Sequence, residues 1–92
     1  MQTLREYFVK TLADLYYNYK QSYVVSNALR DEGEHALADW YRSERVKWLA
    51  QQGTLMDVAG VIGFQQIPIS DEAEAIANER FIRFLERRKV AA

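Results

Sequence analysis

The sequence predicts an all-α fold: a single-domain helical bundle over residues 1–92, built as a long antiparallel helical hairpin, a short third helix and a C-terminal fourth. Three observations carry this prediction. Apolar residues recur at spacings of three and four through most of the chain, the period of one helical face. Capping residues (Thr3, Thr54, Ser70) stand just before these stretches, and Gly33 and Gly53 stand just after two of them. No stretch alternates with the two-residue period of a strand, and no hairpin dipeptide occurs.

The first helix is expected from Thr3 to about Arg30. Thr3 with Glu6 three residues on forms a capping box. Leu4, Phe8, Leu12, Leu15, Tyr19 and Tyr23 then make one face. Gly33 supplies a left-handed cap, and so short a turn makes the next helix antiparallel. The second helix, Glu34–Gln52, holds both tryptophans and is expected to organise the rest. Leu37, Trp40, Tyr41, Trp48 and Leu49 share its apolar face, with Glu44 intruding. Gly53 is read as its C-cap. Thr54 restarts a short third helix whose Leu55, Val58, Ala59 and Ile62 face inward. A loop follows over Gly63–Ser70, where Pro68 holds Ile67 extended. Ser70 caps the fourth helix, with Asp71, Glu72 and Glu74 at its positive end and Arg87, Arg88 and Lys89 at its negative end. The expected core is Leu12, Leu15, Leu37, Trp48, Ile62, Phe81 and Leu85.

Composition excludes several functions. The 92 residues are 49% hydrophobic and 27% charged, which suits one folded domain. A net charge of −1 gives no global field to draw in nucleic acid or a membrane surface. The longest apolar run, Val58–Phe64, is far short of the roughly 20 residues that span a bilayer. MQTLREYF lacks the apolar core of a secretion signal. A cytoplasmic protein without membrane partners is the expectation. The absence of cysteine removes disulfides, thiolate metal sites and a cysteine nucleophile.

Catalytic and cofactor chemistry finds little support. His35, the one histidine, forms an i−4, i, i+4 set with Asp31 and Asp39, but Gly33 is expected to break the helix between them. No serine elbow and no glycine-rich phosphate loop occurs. No catalytic residue, metal ligand or cofactor is assigned. Leu55–Phe64 resembles the first half of a helix-turn-helix, with small Ala59 four residues before turn glycine Gly63. That resemblance implies a DNA-binding regulator. Against it, Pro68 falls where the recognition helix belongs, and Asp71, Glu72 and Glu74 would repel phosphate.

The positive indication is the supply of residues that carry interface energy: six tyrosines, two tryptophans and eight arginines. The expected function is a small non-catalytic binding protein, an adaptor or inhibitor of another protein. A helix-turn-helix-like regulator and a self-associating structural protein are the alternatives. Tyr7, Tyr17 and Arg42 fall off the apolar stripes and are candidates for the partner-binding surface, followed by Trp40, Tyr41 and Glu44. Tyr17, nearly opposite Phe8, suggests that helix one packs outside the domain, against a second copy or a different protein. Glu44 has three readings: its head in water at the hairpin edge, buried against an arginine such as Arg80, or part of an exposed binding face.

Overall fold

α1 spans Leu4–Asp31, α2 His35–Val61 and α3 Gln66–Ala91 in the computed structural model, which describes residues 1–91. Among the described residues three helices, not four, make the bundle. Thr3 caps α1 as expected, its hydroxyl accepting the Glu6 backbone N–H at 3.1 Å. Two Schellman turns separate the helices. In the first, the Glu34 N–H donates to the Leu29 carbonyl and the Gly33 N–H to that of Arg30. In the second, the Phe64 and Gly63 N–H groups donate to the Ala59 and Gly60 carbonyls. Gly33 and Gly63 take φ of 84° and 95°, the left-handed conformation that a Cβ disfavours.

The expected stop at Gly53 is overturned. Gly53 lies inside α2, and Thr54 donates its hydroxyl back to the Ala50 carbonyl instead of capping a new helix. The physical reason lies in the periodicity. Trp48, Gln52, Leu55 and Ala59 keep one helical phase across the glycine, so breaking there would expose residues that α1 covers. An interior glycine costs about 1 kcal/mol relative to alanine, less than that burial returns.

The expected Gly63–Ser70 loop is corrected as well. α3 begins at Gln66, and Pro68 sits in its first turn, where no intrahelical N–H bond is lost. This start buries Ile69 completely and directs Ser70 to the Tyr16 hydroxyl, 2.8 Å away.

α1, not the tryptophan-bearing helix, organises the molecule. It packs along both other helices, whereas α2 and α3 meet at few positions. α2 runs antiparallel to α1. α3 runs parallel to it, as the pairs Arg5–Glu72, Asp14–Arg80 and Tyr17–Phe84 show. By periodicity Ser26, which meets α2, and Tyr17, which meets α3, lie roughly 180° apart on α1.

The core differs from the expected set for the same reason. Leu12 is fully buried, joined by Phe8, Val9, Ala13, Ala59, Ile69 and Ala73. Leu15, Trp48, Phe81 and Leu85 are only partly covered, and Leu37 and Ile62 are exposed. Small residues at the helix contacts (Ser22, Ser26, Ala38, Ala73, Ala77) bring the backbones close and displace the large side chains to the flanks. The result is an elongated body of 47 × 27 × 22 Å. Its radius of gyration is 15.1 Å, against about 12 Å for a compact chain of this length.

Candidate functional site

Because α2 and α3 diverge across α1, part of α1 is left as the floor of a cleft. Tyr16, Tyr19 and Tyr23 lie in the arc of α1 between its two contact faces. With Lys20 they form the floor, and Gln52 of α2 and Glu74 and Phe81 of α3 form the walls of a cleft of about 440 Å³. Next to it, Tyr19 and Tyr23 also line a second hollow with Arg42, Arg45, Val46 and Leu49 of α2. Val46 and Leu49 are exposed there.

The floor is held rigid by local bonds. Ser22 and Ser26, both buried, donate to the carbonyls of Tyr19 and Tyr23, which satisfies their hydroxyls inside the hairpin contact. The Tyr19 and Tyr23 rings meet edge to face at 5.5 Å, and their hydroxyls hydrogen-bond at 3.1 Å. Arg45 reaches from α2, donates to Ser26 Oγ at 3.1 Å, and lays its guanidinium 4.1 Å over the Tyr23 ring. The bond to Tyr23 raises the Tyr19 hydroxyl above the ordinary tyrosine range, with burial adding to it and Arg45 pulling the other way. The cleft therefore offers fixed aromatic faces and hydroxyls, with Arg42 and Arg45 on a positive rim in the adjoining hollow and Glu74 as a negative group in its α3 wall.

The sequence candidates fall in three places. Arg42 lies on this rim. Tyr17 lies within the α1–α3 contact: it is half-buried, edge-on to Phe84 at 6.5 Å, with the Arg80 guanidinium 4.3 Å above its ring. The side of α1 expected to face outward is thus occupied by α3. Trp40, Tyr41 and Glu44 lie along one flank of α2. Trp40 and Tyr41 meet edge to face at 4.9 Å, with Trp40 the more exposed. Glu44 is 19% exposed and pairs with Lys47 at 3.4 Å. Its reading as a partner of Arg80 is corrected, because Arg80 pairs with Asp14. Tyr7 is exposed beside Phe8 on α1.

Sequence reasoning missed Tyr19, Tyr23, Arg45, Val46 and Leu49 as a unit. Ser22 and Ser26, four residues apart among tyrosines, carried the signal. Small polar residues at that spacing mark a close helix contact, so the tyrosines beside them belong at its rim.

Asp31 closes α1 while His35 opens α2, so the candidate ligand set does not share a helix. Among the described residues no group of three or more histidine, aspartate or glutamate side chains is arranged to hold a metal. No described helix is long and apolar enough to cross a membrane. Comparison with family models, curated proteins and solved structures found no match.

Proposed function

We propose that the protein is a small non-catalytic protein-binding module of the cytoplasm, an adaptor or inhibitor, that receives a helical segment of another protein in the cleft between α2 and α3. The observation that carries this reading is the sparse contact between α2 and α3, which leaves the tyrosine-floored cleft open between them, with exposed Val46 and Leu49 in the adjoining hollow. A helix in that cleft would touch all three helices at once, the groove mode of recognition. Arg42 and Arg45 of the adjoining hollow favour aspartate or glutamate on the end of the segment that reaches them, whereas Glu74 disfavours it beside α3. A nucleic-acid partner fits less well, since exposed Asp71, Glu72 and Glu74 cluster near the start of α3.

Capture from a native lysate tests this, with the wild-type chain and Leu49→Glu as parallel baits. Leu49 is exposed, so the variant should keep its stability within about 0.5 kcal/mol. A protein held by the wild type and lost by Leu49→Glu is the expected result. Nucleic acid in the eluate, or the same proteins on both baits, would contradict the reading.

A further inference from the structure

A second surface, on the α1–α2 hairpin away from the aromatic cleft, has a symmetry of its own. At helical spacing the flank of α2 reads Leu37, Trp40, Glu44, Trp48, Gln51, Leu55, Val58 and on to Ile62. Its two ends are apolar and half-exposed: Leu37 47% and Trp40 49% at one, Val58 45% and Ile62 47% at the other. The ends lie at equal distances from the middle of the helix, near residue 49. Beside the second end is an open groove of about 490 Å³, lined by Phe8, Thr11 and Leu15 of α1 and Thr54, Leu55 and Val58 of α2.

We infer that this face pairs with a second copy of the chain, hairpin face on hairpin face with α2 over α2, antiparallel about a two-fold axis near residue 49. That axis sets Leu37 level with Ile62 of the second copy, and Trp40 level with Val58 of the second copy, at the mouth of its groove. At about 490 Å³ the groove has room for an inserted ring, since small-molecule pockets span roughly 300–1,000 Å³. Two-fold symmetry makes both insertions at once, the isologous contact of the commonest homodimers. Along α2 the charges permit it: Lys47 comes level with Gln51 and Glu44 with Leu55, so neither faces a like charge of the second α2. The area suffices too. From Leu37 to Ile62 is roughly 38 Å along the helix, and α1 and α2 together are roughly 20 Å wide. That strip is close to the roughly 800 Å² that each partner contributes to a standard interface. The dimer face includes none of Tyr19, Val46, Leu49 or Phe81, so the cleft and the adjoining hollow stay open in it, and its existence does not depend on what the cleft binds.

The chain has no cysteine, so two introduced ones report the register without background. In a Leu37→Cys, Ile62→Cys double variant the two sites of one chain are roughly 38 Å apart, too far for a bond within the chain. Mild oxidation should convert the double variant to a covalent dimer and leave Leu37→Cys alone monomeric on a denaturing gel. Sedimentation should show a wild-type dimer. Trp40→Ala should weaken it about tenfold or more, the effect of losing an aromatic anchor. Val58→Arg should weaken it as well, with helix content unchanged by circular dichroism, and Leu49→Glu should leave it intact. A wild-type monomer at every concentration would overturn the inference. So would cross-linking of Leu37→Cys alone, or a dimer that Leu49→Glu disrupts and Trp40→Ala does not.

Discussion

Tyr17 shows how much one residue's role depends on where its neighbours fall. By periodicity it stands opposite Phe8, and a surface role follows if α1 packs on one helix only. α1 packs on two, so the opposite side of the helix is a second interface. There Tyr17 lies between Phe84 and Arg80. Tyr17→Ala is therefore expected to lower stability by about 1–2 kcal/mol, through the lost aromatic pair and cation–π contact. A denaturant melt measures it. A change under about 0.3 kcal/mol would return Tyr17 to the free surface. Glu44 was open in the sequence because periodicity gives a residue's direction but not its partner. Which arginine it could meet depended on the placement of α3, and Arg80 goes to Asp14 instead.

At the scale of the elements, the caps were legible and the continuity was not. Thr3 and Gly33 act as their types predict, because each acts through backbone geometry within a few residues. Gly53 looked equivalent to Gly33, but the residues C-terminal to each differ. After Gly33 the apolar phase is reset; after Gly53 it continues into Leu55 and Ala59. Ile67-Pro68 likewise reads as extended by local preference, and burial of Ile69 overrides that preference. Three of the four glycines make a direct test. Gly53 has an ordinary helical backbone, and nothing lies within 4 Å of where a Cβ would be. Gly53→Ala should stabilise by about 0.5–1 kcal/mol. Gly33→Ala and Gly63→Ala have room too, but their positive φ makes each destabilising by about 1 kcal/mol or more. Thermal melts of the three variants check this. A loss of stability for Gly53→Ala would mean that α2 breaks there.

Over the whole molecule, the all-α class was readable from periodicity, but the central helix was not. Bulk pointed to the tryptophan helix, yet close contact is made by small side chains: Ser22, Ser26, Ala38, Ala73 and Ala77. These are common residues and give a weak pattern, so the helix that joins the others is hard to see in the sequence. Once α1 is central, the splay of α2 and α3, the aromatic cleft and the elongated shape follow together. The central claim is that this cleft is where a partner binds. The most direct test is the nuclear magnetic resonance footprint of the captured partner on the isotope-labelled chain. Shifts concentrated at Tyr19, Tyr23, Val46, Leu49 and Phe81 are the predicted result. Shifts confined to Leu37, Trp40, Val58 and Ile62, with the cleft unchanged, would contradict it.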